Sequence, residues 1–379
     1  MFEPRASGPE LTAEQRRVLD EEFFASDPTA HLRAKIDMLL RYTPATPMGA
    51  VVSDRLASLG IRDEALAWMT PDAHTFEAMR AVEAYALRHQ CAETLIRLVG
   101  SALQVLTVAP ARTLWEELED GPYKIADGVG QIEQSVGEGV PLNLFATPEQ
   151  EQLAVSSDAW PVHTGRAWAW TLHAMELLQH QPIDLTAANN KLKHGFVVRA
   201  RTDVLASFIQ ADGIDDPTRF PLSRLRAAAP IIDGVQLQFI RREKLAPKDR
   251  STDWMSLTTL NLDAEALLTE ALMLTVVHGI VFGAAQARHI VARREKPPDS
   301  LTVRGLPDPA GYARRIRGIR QPLTLPRTGP HPAIVLEAGG EVCTIEVGQM
   351  IQGRVIDDAA ASTGDTAPPG DPAEPSRSV

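Results

Sequence analysis

The run Ala271–Ala287, ALMLTVVHGIVFGAAQA, constrains this chain more than any other stretch, because no side chain in it is formally charged. A helix this apolar must be surrounded by protein or by lipid, since exposing it to water costs roughly 25 cal/mol for each Å². Its length sits at the short edge of what crosses a bilayer, His278 and Gln286 lie within it, and Glu265 and Glu270 precede it in the same helix. The expectation is therefore a buried core helix, with no membrane as a partner. Asp263 supplies an N-cap, so the helix is expected from Asp263 to about Glu295, where Pro297-Pro298 ends it.

A helix of that kind needs others to pack on it, and the sequence offers several. Thr12 and Gln15 have capping-box spacing ahead of Val18, Phe23 and Phe24, and after Asp27-Pro28 a second helix carries Leu32, Ile36, Leu39 and Leu40. Between His74 and Thr107, Phe76, Met79, Val82, Ala86, Leu95, Val99, Leu103 and Leu106 recur at threes and fours, which predicts one long core helix. A shorter helix follows Pro110 through Trp115 and Leu118, and the glycine-containing stretch Gly121 to Pro141 reads as irregular, with one turn of helix around Ile132. Thr147-Pro148-Glu149-Gln150 is a cap with proline at the first helical position, leading into Asp158 to His180. Asp184 opens a further helix, DLTAANNKLKH, which Gly195 should close.

Strands are fewer. Val235, Leu237 and Phe239 alternate after Gly234, and Trp254 to Leu262 can pair with them across a polar loop; Ile334 to Leu336 and Val342 to Val347, joined by Gly339-Gly340, form the clearest hairpin. The fold class expected is mainly α with minor antiparallel β, an α+β chain consisting of a helical bundle plus a small β-hairpin module. The corresponding division is an N-terminal helical segment at 1–72, a bundle at 73–330 with a strand pair inserted near 234–262, a β module at 331–356 and a disordered tail at 357–379. The tail is rich in Ala, Ser, Thr, Pro, Gly and Asp and has too little apolar surface to offset its ordering entropy.

Charge is unevenly placed. Residues 1–190 hold 14 Lys+Arg against 27 Asp+Glu, residues 191–327 hold 22 against 14, and residues 328–379 hold 2 against 8, so that −13, +8 and −6 sum to the net −11. A basic middle can serve as a surface for phosphate, or it can neutralise the acidic half by packing on it. The two cysteines, Cys91 and Cys343, are far apart and form no CxxC pair, and the opening MFEPRASGPELTAEQ lacks the basic-then-apolar pattern of an export signal. A reducing, cytoplasmic setting is expected.

The most suggestive run is Asn189-Asn190-Lys191-Leu192-Lys193-His194. Asn190 and His194 are four apart and share a helix face, Lys191 and Lys193 flank them, and Arg199 and Arg201 follow, a combination suited to phosphate contact or proton transfer. The same cations also complement the negative end of a helix dipole. The run, placed after several long helices, resembles the end of the catalytic helix in the HEPN superfamily (higher eukaryote and prokaryote nucleotide-binding domains). That resemblance covers at most residues 75–200. It implies a helical bundle of a kind whose active members cleave RNA as dimers, many in toxin and antiviral systems, with His194 in the position of the family's histidine and Asn190 in that of its polar residue. Asn189 stands where the family has arginine.

Other candidates have weaker chemistry. Arg166 and His173 repeat the arginine-to-histidine spacing, but Ala167 replaces the polar neighbour. His173, Glu176 and His180 share a face, expected as a mixed surface stripe, and no metal or cofactor is predicted; Trp160, Trp168 and Trp170 are expected in a core or subunit interface. His278 should be a hydrogen-bonded core histidine. No P-loop, dinucleotide fingerprint, GxSxG elbow or HExxH helix is present. Two functions remain open. One is a HEPN-like protein that binds RNA or single-stranded DNA through Lys191, Lys193, Arg199 and Arg201, with His194 and Asn190 as its catalytic candidates. The other is a non-enzymatic interaction or scaffold protein with a protein partner or a second copy. The first needs the basic residues of 191–327 gathered on one exposed face; the second expects them dispersed or paired with carboxylates.

Overall fold

The computed structural model describes residues 11–41, 54–55, 57–60, 72–107, 112–121, 124–136, 142–154, 160–194, 198–203, 205–207, 219–221, 230–245, 249–292, 305–313, 315–346 and 354–356. Expectations placed on Gly195, Pro297-Pro298 and the tail 357–379 lie outside these residues. The fold is mainly helical with antiparallel sheet.

Two long helices form its axis: α3 (Ala73–Thr107) and α9 (Ala264–Ala292) make the most extensive contact between any two elements. Their lengths, about 52 and 43 Å at ~1.5 Å per residue, span the core. α9 is apolar on every side, and a helix of that kind is stable only when enclosed. Leu268, Ala271, Leu274, Val277 and Val281 are accordingly buried, and Ile280 packs half-buried against the same core. By length and composition α9 could cross a membrane, but most of its apolar window is buried inside the protein.

Around this pair lie α1 (Ala13–Phe24), α2 (Ala30–Arg41), α4 (Leu114–Asp120), α5 (Ile125–Ser135), α6 (Pro148–Ala154), α7 (Trp160–Gln179) and α8 (Leu185–Lys193). The starts follow the capping chemistry. Thr12 with Gln15 and Thr113 with Glu116 form complete capping boxes, and Thr147 exchanges hydrogen bonds with Gln150. Asp263 Oδ1 accepts from the amide of Ala266, and Asp184 caps α8 from a left-handed conformation at φ 52°.

Two helical expectations are corrected. The stretch 121–141 is not largely irregular: α5 occupies eleven residues of it, although Gly128 and Gly130 lower its propensity, because Val129 and Ile132 are fully buried against the bundle. The core face of α3 is also broader than the stripe expected. Phe76, Leu95, Val99 and Leu103 are buried as expected and Met79 is exposed, while Ala78, Ala81, Tyr85, Arg88 and Ala92 face inward too, since neighbours on several sides leave little of the helix to water.

Six antiparallel strands form the main sheet in the order β1 (Arg199–Arg201), β5 (Val235–Glu243), β6 (Trp254–Leu262), β7 (Arg317–Pro322), β8 (Ala333–Ala338), β9 (Glu341–Glu346). The expected pairing of β5 and β6 runs from Val235↔Leu262 to Glu243↔Trp254, and β8 and β9 turn through Gly339 and Gly340, both with positive φ. β7 hydrogen-bonds to β6 on one side and β8 on the other, so the hairpin and the 235–262 pair belong to one sheet. One face of the sheet sends Leu237, Phe239, Leu260 and Leu262 into the helical core. On the other, Ile334 and Leu336 meet Ile231 and Ile232 of β4 (Pro230–Ile232) in a second, smaller cluster. β4 pairs with β2 (Ala206–Ser207), and β3 (Arg219–Pro221) pairs with β10 (Arg354–Ile356) in parallel. A one-turn helix, α10 (Ala310–Ala313), leads into β7.

Candidate functional site

The end of α8 places the suggestive run on two different sides of the helix. Asn189 is buried, donating from Nδ2 to Glu93 Oε1 at 3.2 Å, while its own Oδ1 has no partner among the described residues. Lys193 reaches the same carboxylate, with Nζ 2.6 and 2.5 Å from its two oxygens. Asn190 and His194 are exposed on the opposite side, His194 as the C-cap residue, and Lys191 is half-buried. The position that would hold the HEPN arginine therefore points inward onto a carboxylate.

Arg199 and Arg201 do not join this corner. Both lie on β1, where Arg201 makes a two-pronged pair with Asp203 at 2.7 and 2.6 Å. The next residue, Thr202, contacts His74, whereas Lys193 contacts Glu93. Residues 74 and 93 are separated by about 28 Å along α3 at ~1.5 Å per residue, so the two halves of the expected basic site sit at different levels of that helix.

The most concentrated chemistry is inside the bundle, where α3, α7 and α9 each contribute to one polar cluster. Glu270 accepts from His173 Nε2 at 2.6 Å on Oε1 and from Arg88 Nη1 at 3.3 Å on Oε2. The side chains of all three are 5% exposed. Arg88 also lies 5.0 Å from the centre of the Tyr85 ring, and the Tyr85 hydroxyl donates to the carbonyl of Leu185 at 2.6 Å. Burial alone would raise the Glu270 carboxyl, but Arg88 and His173 outweigh it and hold the group below its ordinary range. Next along α3, His89 is kept neutral by burial and by the adjacent guanidinium, far below its usual value. Arg88 and Glu270 line a cleft of about 30 Å³, room for a water molecule rather than a substrate.

This cluster corrects the reading of α7. His173 is not on a surface stripe; it is buried against Glu270, and His180 is 2.6 Å from the buried Glu337 of β8, leaving only Glu176 exposed. Trp170 is fully buried with its indole N–H donating to Pro307 O, as a core tryptophan does, and Arg166 pairs with Asp308 at 3.7 Å instead of approaching His173. His278 is buried in α9 as expected, yet its Nδ1 has no hydrogen-bond partner among the described residues. Burial lowers its pKa to about 4. Among the described residues no group of three His, Cys, Asp or Glu side chains is arranged to hold a metal ion.

The sequence carries little signal for the buried cluster: Arg88 is one of six charged residues in α3, and Glu270 follows Glu265 in the opening turns of α9. Their pairing across 182 residues is not legible.

One further concentration of positive charge closes the end of the sheet. Arg242, Arg250 and Arg327, with Trp254, Met255 and Leu325, line a groove of about 380 Å³. Its walls are tied together by Arg327 N to Ser251 O at 2.8 Å, Leu323 N to Met255 O at 2.7 Å and the Ser251–Thr328 hydroxyl pair at 2.6 Å. No family model, curated protein or solved structure matches this chain.

Proposed function

We propose that the chain acts as a non-enzymatic interaction protein rather than as a nuclease. The observation that carries this reading is the pairing of the basic middle region with carboxylates. Lys193, Arg241 and Arg288 are bound to Glu93, Asp184 and Glu151 of the acidic half, and Arg201, Arg315 and Arg317 to Asp203, Asp263 and Asp233. Each exposed pair contributes little to stability, on the order of 0–1 kcal/mol. Together they cancel the local field that a polyphosphate would otherwise follow to the surface. At the α8 corner, Glu93 adds negative charge where an RNA phosphate would have to come.

The test is filter binding of short RNA and single-stranded DNA at low and at moderate salt. The expected result is no affinity at low salt and no cleavage. Affinity that weakens with salt, with a slope reduced by about two in Lys191→Ala/Lys193→Ala, would overturn the reading in favour of nucleic-acid binding at this corner; cleavage lost in His194→Ala would restore catalysis.

A further inference from the structure

The geometry points to the groove at the end of the main sheet as a docking site for a partner protein's extended segment that carries acidic residues interleaved with large apolar ones. This rests on the interaction-protein reading and names the partner's chemistry.

Three guanidinium groups and one carboxylate, Asp253, line the groove. Only Arg242 engages that carboxylate, at 3.8 Å, a separation that leaves the pair loose; Arg250 and Arg327 make no ion pair among the described residues. With Asp249 held against Ser251 at the edge of the lining, the groove keeps a local excess of about one positive charge on a chain of net charge −11, which favours an acidic ligand.

The apolar surface around it decides between acidic ligands. Leu325, 49% exposed, lines the groove together with Trp254 and Met255. A half-exposed leucine beside Met255 is not needed to cover a core, and these side chains give a nucleic acid nothing to pair with. A base-stacking surface would need several aromatic rings, and Trp254 is the one the groove provides. Apolar lining from Leu325, Met255 and Trp254 between arginines fits a peptide whose apolar side chains enter the groove while its carboxylates meet the rim.

The hydrogen bonds from residues 323–328 to residues 251–255 hold both walls in place, so little ordering is required on binding. The chain's own segment 357–379 is acidic, with five Asp+Glu against one Arg, but contains no Leu, Ile, Met or aromatic residue to fill the apolar part.

The experiment is fluorescence anisotropy on the full chain with a labelled short peptide alternating Asp or Glu with Leu. Parallel probes have Lys in place of the acids, have Ser in place of Leu, or are an oligouridine RNA. The expected result is saturable binding of the acidic leucine peptide, weakened at least about tenfold in Arg250→Glu/Arg327→Glu and separately in Leu325→Asp, weaker for the serine peptide and absent for the lysine peptide. Thermal melts of both variants within a few degrees of the parent show that folding is intact; the Arg327 tether is made by its backbone, so the charge reversal spares it. No binding of the acidic leucine peptide, with the RNA also silent, overturns the groove proposal while leaving the interaction-protein reading in place. RNA binding that falls in the arginine variants overturns both. Peptide affinity that rises about tenfold on removing residues 357–379 would make the chain's own tail the occupant and overturn the assignment to a partner. Self-association lost in Arg250→Glu/Arg327→Glu would do the same in favour of a second copy.

Discussion

Glu270→Gln is the most informative single change in the core, because it removes one charge and almost no volume. In the parent protein the carboxylate takes one hydrogen bond on each oxygen, from His173 and from Arg88, with all three side chains 5% exposed. The amide retains an acceptor but leaves the Arg88 guanidinium buried without a counter-charge, and its Nε is already without a hydrogen-bond partner among the described residues. Breaking one partner of a buried pair costs about 3–5 kcal/mol; with the amide still accepting one bond, a loss near 3 kcal/mol is expected. That is a large share of the roughly 5–15 kcal/mol that keeps a domain folded. Replacing both partners in Arg88→Met/Glu270→Leu removes the stranded charge and leaves only His173 short of an acceptor, a cost of about 1 kcal/mol. Urea unfolding at neutral pH, followed by tryptophan fluorescence from Trp170, whose ring lies 5.4 Å from that of His173, measures both variants. A single variant less than about 1 kcal/mol below the parent, or a double variant no better than the single, would refute the account.

Three other outcomes follow from individual side chains. Because burial lowers the folded-state pKa of His278 to about 4 from an ordinary 6.5, its contribution is present above 6.5 and lost as pH falls towards 4, by up to about 3 kcal/mol; urea titrations of His278→Leu should show a correspondingly flatter fall over that window, and superimposable curves would count against it. The Glu270 carboxyl, held low by Arg88 and His173 against its burial, adds stability that is present above the unfolded carboxylate value and disappears as pH falls through the folded one; Glu270→Gln should abolish that part of the acid limb. At Gly318 an added Cβ would stand 2.9 Å from the Thr259 carbonyl and from Ile183 Cδ1, so Gly318→Ala should cost about 1–3 kcal/mol, read as a fall in Tm.

Local chemistry made much of the architecture readable in advance. Thr12, Thr147, Asp184 and Asp263 announce helix starts because their side chains satisfy amides that a helix leaves free. The β5–β6 pairing and the Gly339-Gly340 turn are written in alternation and in positive-φ residues. What periodicity could not supply was partnership at a distance. α5 contains two glycines and is held by burial of Val129 and Ile132. The short strand β7 has no alternation strong enough to read, with burial falling on Gly318. At the site, the identity of Lys193 as a cation was plain, but its capture by Glu93, a hundred residues away in sequence, depends on how α8 lies on α3. The same holds for Glu270, whose two partners come from two other helices.

The position of α9 in the chain, between two neighbouring strands of the sheet, has a consequence for biosynthesis. β6 ends at residue 262 and its neighbour β7 begins at 317, with the most apolar helix of the chain between them. A ribosome adding about 5–20 residues per second therefore releases β6 some 3–11 seconds before the strand that covers its edge exists. During that interval the nascent chain displays an open row of backbone donors and acceptors beside a helix that must find α3 to leave water. Synthesis rate and chaperone capture through this window should therefore influence the yield of folded protein.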